Sequence, residues 1–463
     1  MNTDKPMSEN HMPRIMIAAA SSGSGKTVIT TGLLCALKRR GITAASFKCG
    51  PDYIDPMFHK TVLGIEGKNL DSFFIKEDAI KQLVITCGGD IAVIEGVMGI
   101  YDGTSCDSTD GSCYEIAKIT KTPVILVVNA AGVGKTVASV IKGILADDDK
   151  KLIKGVILNR MSPSFYERFE AVLEGEIRSI RDDVKLLGYI PKNDSLHITS
   201  RYLGLTLPDE LTGIKEKIEK TADLLDEGCD IDAIINIAEH AEKLCVPEKE
   251  AGTKKPERRL RLAVAKDEAF CFYYEENIKL LEKYGIDPVY FSPVHDARLP
   301  DGVSGIMIGG GYPELFLKEL SANRSMLDSI RDAIMSKMPS VAECGGFMYL
   351  HNAIEDKDGR PYETVGVIDG VCKYTGHLVN FGYVEIADDA HPKLCGLKGH
   401  EFHYYDSTAD CADLILRKPS TKRQYKAMGF SADHLWGFAH FYYPSNEGII
   451  WEFVKRMREY EDR

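Results

Sequence analysis

The chain has 463 residues and a net charge of −12, which is room for two or three domains. The acidic balance argues against a nucleic-acid partner. No apolar run is long enough to span a bilayer, so no membrane partner is expected. The first dozen residues, Met1 to Met12, are polar and lack an apolar core; no secretory signal is expected, and 1–13 reads as a disordered tail. Twelve cysteines, none spaced as Cys-x-x-Cys, sit mostly in apolar or helical contexts. They read as reduced packing thiols of a cytoplasmic protein.

In chain order, the apolar run Ile15 to Ala19 is followed by Ala20-Ser21-Ser22-Gly23-Ser24-Gly25-Lys26-Thr27. A helical pattern then runs to a stop at Gly41. Strand, Gly/Ser loop and helix start together make a phosphate cradle, whose backbone N–H groups close around an anion. Ser22, Gly23, Ser24 and Gly25 would line it. Lys26 would reach the terminal phosphates, and the Thr27 hydroxyl would ligate Mg²⁺. The usual pattern has Gly where this chain has Ala20.

Strand Thr43 to Phe47 leads into Lys48-Cys49-Gly50-Pro51-Asp52-Tyr53-Ile54-Asp55-Pro56. Ligands of open α/β sheets sit at the carboxyl ends of strands. Asp52 and Asp55 there either hold Mg²⁺, face a substrate, or serve the turn itself. Strand Ile91 to Ile94 runs into Glu95-Gly96-Val97-Met98-Gly99-Ile100-Tyr101-Asp102-Gly103. Glu95 is placed as the second acid on the metal side. Strands Val124 to Val128 and Gly155 to Leu158 end at Asn129 and Asn159, each a base reader or a turn former. Strands alternating with helices imply parallel pairing in a doubly wound sheet. A charged helical stretch runs to about Leu244.

Residues 246–259 are polar, with two prolines, and read as a linker. It separates a first domain at 14–245 from a second at 260–463. Strand Leu260 to Ala265 opens the second unit, followed by a helix carrying Phe270, Tyr273, Tyr274, Ile278 and Leu281. Strand Gly305 to Ile308 leads to Gly309-Gly310-Gly311-Tyr312-Pro313-Glu314. Pro339 to Leu350 reads as strand, sharp turn and helix with Cys344 at the turn. A thiol at a helix start is expected to be exposed, with a lowered pKa. Gly345 and Gly346 permit the turn and leave N–H groups for an oxyanion hole. The thiol wants a histidine from elsewhere. His440, after Trp436-Gly437-Phe438-Ala439, is one candidate, and Gly399-His400-Glu401-Phe402-His403-Tyr404 is another polar constellation.

Taken together, these motifs resemble the cobyrinic acid a,c-diamide synthase family. The resemblance runs from about Arg14 to Tyr443 and includes Arg201-Tyr202-Leu203-Gly204-Leu205. It implies a fold: a P-loop α/β domain similar to dethiobiotin synthetase, followed by a class I glutamine amidotransferase-like α/β domain. It also implies a reaction. ATP phosphorylates the a and c carboxylates of a tetrapyrrole in turn, and ammonia from L-glutamine displaces the phosphate. On this resemblance Thr27, Asp52 and Glu95 serve Mg²⁺, while Tyr53, Asp55 and Asp102 serve the substrate and acyl phosphate. Cys344 and His440 serve the glutaminase. Gly310 and Gly345 are assigned as its oxyanion donors.

Two positions depart from relatives. Many class I glutaminases carry Glu two residues after the histidine, where this chain has Tyr442. Relatives often have His at Tyr202. A sister group that amidates nickel sirohydrochlorin fits the motifs almost as well; cobyric acid synthase fits less well. A nucleotide-switched partner protein similar to the partition ATPases is opposed by the intact Cys344 and His440, and by the lack of a second lysine in Ala20 to Gly25. A homodimer is an assembly to test.

Overall fold

The computed structural model describes residues 7–105, 107–193, 208–247 and 258–463. The chain divides between Glu250 and Ala251 into two compact units. Most of the expected linker and the whole Arg201–Leu205 motif lie outside the described residues.

The first unit is built on seven strands: β1 (Arg14–Ala19), β2 (Ala44–Cys49), β3 (Gly67–Leu70), β4 (Ile91–Glu95), β5 (Val124–Asn129), β6 (Ile153–Asn159) and β7 (Lys185–Ile190). Their order is β3-β2-β4-β1-β5-β6-β7, and every pairing is parallel. Parallel sheets need cover on both faces, which is why β1 is an unbroken apolar run after Arg14. Met16 and Ala18 enter one core cluster, and Ile15, Ile17 and Ala19 the other. Helix α1 (Lys26–Arg39) packs on the second face with α2 (Pro208–Gly228). The approach needs Gly32, where a Cβ would fall 2.6 Å from Thr221 Cγ2.

Two expectations fail here. Met7–Asn10 is no disordered tail but a strand paired antiparallel with Leu244–Pro247, which also takes the start of the expected linker. Leu244 and Val246 alternate inward and are buried. A strand of four residues is too short for periodicity to announce.

In the second unit a mainly parallel sheet contains β8 (Leu260–Ala265), β9 (Ile286–Phe291), β10 (Gly305–Ile308) and β11 (Ser340–Glu343). A second sheet holds β12 (His351–Glu355), β13 (Ile368–Ile386) and β14 (Lys398–Ser407). Strand β15 (His434–Gly437) completes the parallel run β9-β8-β10-β11-β15, and β16 (His440–Tyr442) joins the second sheet beside β14. The chain therefore steps from one sheet to the other across Phe438 and Ala439. The expected helix around Phe270 is instead a short strand, Phe270–Phe272, paired with Gly310–Gly311. Its aromatic residues favour extended backbone, and the helix begins only at Glu275. Among the described residues no helix is long and apolar enough to cross a membrane.

Candidate active site

In the first unit the loop after β1 closes on α1. Gly25 caps that helix at φ 97°, a left-handed backbone that favours glycine. A Cβ there would fall 2.1 Å from Asn159 Nδ2. Asn159, at the end of β6, donates from Nδ2 to the Ser24 carbonyl at 2.8 Å. It thus straps the loop, a role beyond the two read from sequence. Asn129 accepts the Ala131 N–H at 3.2 Å, as a turn former does. Ser22 and Gly23 are exposed at the rim and Ser24 is buried. The Lys26 ammonium is buried and donates to the carbonyls of Met98 and, at 3.3 Å, Ser21. Burial pulls its pKa down.

Behind the cradle lies a dense charge cluster. Lys48, at the end of β2, places its Nζ 2.5 Å from Asp55 Oδ2, 2.7 Å from Glu95 Oε1 and 3.9 Å from Asp52 Oδ2. Burial alone would lower its pKa, but these carboxylates outweigh it and hold it above the usual lysine range. Burial pushes Glu95 up to about 7 even though Lys48 opposes it. Thr27 Oγ1 donates to Glu95 Oε1 at 2.5 Å, which leaves the hydroxyl lone pairs available. Glu95 Oε2 is fully buried and, among the described residues, has no hydrogen-bond partner. A buried carboxylate oxygen without a donor, next to a hydroxyl whose lone pairs are free, suits a hard cation with oxygen ligands.

The remaining predicted residues shape the surrounding loops. Asp52 Oδ1 accepts the N–H groups of Ile54 and Asp55 at 2.8 and 3.3 Å. Asn69 braces the same loop, donating to the Gly50 and Asp52 carbonyls, both at 2.8 Å. Tyr53 is buried at the start of a short helix, Ile54–Phe58. Asp102 is exposed and its Oδ2 accepts the Gly99 N–H at 2.8 Å, folding the loop after β4. Lys48 was not singled out in the sequence. Its only signal is a lysine at a strand end where the neighbouring apolar runs end in acids.

In the second unit β11 ends at Cys344, whose backbone (φ 49°, ψ −104°) turns sharply into α3 (Gly345–Tyr349). Such strain at a strand–helix turn presents a nucleophile. The expectation of an exposed thiol with lowered pKa does not hold. Cys344 is 7% exposed. Burial raises its pKa, and the nearby carboxylates, Glu314 first, raise it further. α3 is a helix of five residues, too short for its dipole to offset that burial. Gly346 is not an open donor either, because its N–H goes to the Gly309 carbonyl at 3.0 Å.

The loop 309–313 brings the pieces together. A Cβ on Gly345 would fall 2.8 Å from Pro313 Cδ and 3.2 Å from Gly311 N. One on Gly310 would fall 2.2 Å from His440 Cε1. The loop is therefore wedged between the start of α3 and the His440 ring, and Gly310 and Gly345 both border the site. His440 opposes His400 across β14 and β16, and their rings stack at 5.0 Å. Tyr274 O–H lies 3.2 Å from His400 Nδ1. Burial, then His400 and His403, hold His440 well below its ordinary pKa. Burial thus favours the neutral form of both thiol and imidazole. His403 stacks on Phe438 at 3.9 Å, and Asn277 pins the strand behind His440, donating to Phe441 O at 2.8 Å and accepting from Tyr443 N at 2.8 Å. Tyr442, the position expected to hold Glu in many class I glutaminases, packs edge-on against Tyr274 at 5.3 Å.

The first site can bind a polyanion with a cation and neutralise charge in phosphoryl transfer. The second sets a thiol on a strained turn and a buried histidine around one loop, the parts needed to attack an uncharged carbonyl. Comparisons with known proteins agree with this pairing. Residues 15–202 match the family described as CobQ/CobB/MinD/ParA nucleotide binding domain, and residues 261–439 the CobB/CobQ-like glutamine amidotransferase domain. The chain is 40% identical over 426 residues to a protein of Listeria innocua serovar 6a named cobyrinate a,c-diamide synthase, covering 89% of this chain and 91% of that one. Proteins of the same name are 42% identical in Listeria monocytogenes serotype 4b (90% and 91% covered) and 37% identical in Dehalococcoides mccartyi strain CBDB1 (97% and 99% covered).

Proposed function

Because the chain belongs to the cobyrinate a,c-diamide synthase family, we propose that it amidates the a and c carboxylates of cobyrinic acid with ATP and L-glutamine. The observation that carries this reading is one chain holding both halves of the chemistry. It has a phosphate cradle backed by the Lys48–Asp55–Glu95 cluster, and a cysteine on a strained turn whose following helix start borders the same 309–313 loop as the His440 ring.

A carboxylate is a poor electrophile, since oxide is a very poor leaving group. Attack of its oxygen on the γ-phosphoryl group forms an acyl phosphate and releases ADP. The backbone of Ser22 to Gly25 cradles the phosphates, and Lys26 swings from its carbonyl partners to the charge that develops on them. Thr27, Glu95 and Asp52 would hold Mg²⁺, which when bound neutralises charge on the phosphates. Asp55, Tyr53 and Asp102 would serve the substrate and acyl phosphate. In the other unit Cys344 sulfur attacks the glutamine amide carbon while the His440 ring takes the thiol proton and passes it to the leaving nitrogen. Water then releases glutamate from the thioester. Ammonia made in a closed site stays unprotonated and adds to the acyl phosphate, expelling phosphate. Gly310 and Gly345 N–H groups serve the oxyanion.

The test is a paired turnover assay with Mg-ATP and glutamine. Cobyrinic acid or nickel sirohydrochlorin is supplied, and product masses are read. A two-amide corrin product supports the proposal. A two-amide product from the nickel compound alone moves the chain to the sister reaction, and ATP turnover without any tetrapyrrole would favour a nucleotide switch.

A further inference from the structure

Beside the charge cluster of the first unit, the same two elements make a second contact that none of the chemistry above uses. Along β2, Ala45, Phe47 and Cys49 enter one core cluster. Ser46 and Lys48 alternate with them and face the other side, where Phe58, Val62 and Leu63 are buried. Each meets one side chain of the segment that begins with the short helix Ile54–Phe58. Lys48 Nζ lies 2.5 Å from Asp55 Oδ2, and Ser46 Oγ lies 2.7 Å from His59 Nδ1. The spacings match. Two residues advance a strand by about 6.6 Å and four advance a helix by about 6 Å. Asp55 and His59 are one turn apart, and the His59 N–H donates to the Asp55 carbonyl. The pairs Lys48–Asp55 and Ser46–His59 are therefore two rungs of one ladder. His59 is 1% exposed. Its Nε2 is fully buried and, among the described residues, has no hydrogen-bond partner, so Nδ1 carries the polar work of the ring.

The two rungs differ in kind. Lys48–Asp55 is ionic, and on the ATP-site reading above, on which this inference rests, Asp55 turns from Lys48 to the substrate. A helix of five residues does not keep its own place once that pair parts, because helix formation is cooperative with a costly start. The Ser46 hydroxyl carries no charge, so an incoming anion or cation has nothing in the second rung to replace. The rung also sits at a joint: the short helix passes at His59 into a π turn, His59–Leu63, that ends at Gly64 with φ 70°. Single π turns are rare and recur at functional sites. We infer that His59 is the positioning residue for Asp55: bonded to Ser46 Oγ, it keeps the helix on β2 while Asp55 exchanges Lys48 for the substrate.

The test uses the full chain with Mg-ATP, cobyrinic acid and ammonium salts, so that the first site alone is read. Ser46→Ala and His59→Leu should each raise the KM for cobyrinic acid about 5- to 10-fold, the worth of one buried hydrogen bond, with kcat within about threefold of the parent. A merely structural role would instead lower the amount of folded enzyme, and so kcat, at unchanged KM. The double variant should lose no more than either single one, because both remove the same bond. His59→Asn, whose amide can take the place of Nδ1 toward Ser46, should return the KM to within about twofold of the parent. Equilibrium binding of cobyrinic acid, followed by its visible absorption, should weaken in Ser46→Ala by the same factor as the KM. Losses that add in the double variant, a fall in kcat at unchanged KM, or no recovery in His59→Asn would overturn the assignment. No amidation by the parent chain would overturn the ATP-site reading itself, and this inference with it.

Discussion

The two sites solve opposite electrostatic problems. Around the phosphate cradle, charge is present and already paired: Lys48 lies between Asp55 and Glu95, while Lys26 rests on backbone carbonyls. Around Cys344, charge is suppressed. His400 is held near 3 and His403 near 4 by burial, and burial pushes Glu343 up to about 8. The difference follows from the ligands. A polyanionic nucleotide with its cation can be met only by groups that trade one ionic partner for another. An uncharged amide is best attacked in a dry site where a neutral base is ready to take a proton.

The sharpest way to break the comparison is to remove one site and ask whether the other still works. Cys344→Ser should lower glutamine-driven amidation by at least about 1,000-fold, because the alkoxide is far less accessible than the thiolate. Amidation with added ammonium salts should remain within about twofold, since the acyl phosphate forms elsewhere. Loss of the ammonium reaction as well would show that the sites are not separate.

Next in size is Glu95→Gln. The amide cannot supply the charge that Lys48 and Thr27 now meet, so amidation should fall about 100- to 1,000-fold, the usual cost of losing an electrostatic stabiliser. The fall should be the same with glutamine or ammonium. A loss confined to glutamine would place Glu95 in the wrong half of the reaction.

Much of this contrast was legible in the chain and part of it was not. The cradle could be read because it is local: an apolar run, small residues and a helix start within Ile15 to Thr27. The Cys344 turn could be read for the same reason, through Gly345 and Gly346. The Lys48 cluster could not, since it depends on β2 and β4 lying side by side, a fact of strand order rather than of spacing. The direction of the Cys344 shift is not legible in the sequence, because burial in the fold outweighs the short helix that follows it. The missing acid after His440 was legible as Tyr442. The stacking of His400 on His440 required the register of β14 against β16.

Stability against pH sharpens the contrast at smaller scale. His351 is fully buried behind the Cys344 turn, with Nδ1–H donating to Phe347 O at 2.9 Å and Nε2 accepting from Ser407 at 2.7 Å. Burial lowers its pKa to about 4. The unfolded chain takes up this proton near pH 6.5 and the folded chain does not. Its contribution is therefore complete above about pH 6.5 and is lost as pH falls toward 4. Glu95 has the opposite sign: folded at about 7 and unfolded near 4.5, it contributes below that value and fades as pH rises through 7. In denaturant titrations from pH 7 to 5, His351→Gln should remove about 1–2 kcal/mol of the parent's acid loss. An unchanged slope would mean that His351 is protonated in the fold.

The smallest effects expected come from two asparagines that hold the sites in shape. Asn277 makes two buried hydrogen bonds to the strand of His440, at Phe441 O and Tyr443 N. Asn159 makes one, to Ser24 O. Asn277→Ala leaves a carbonyl and an N–H without partners in a dry place and should cost about 2–3 kcal/mol in unfolding free energy, lowering glutaminase turnover with it. Asn159→Ala frees a single carbonyl, Ser24 O, in the buried wall of the cradle and should cost about 1 kcal/mol. Its effect on function should be a rise of up to about tenfold in the KM for ATP, because the loop must now be ordered by the nucleotide itself. The KM for glutamine should not move. If Asn159→Ala disturbs glutamine as much as ATP, the two sites share a conformational equilibrium, and separately balanced sites give way to one switch that both ligands bias.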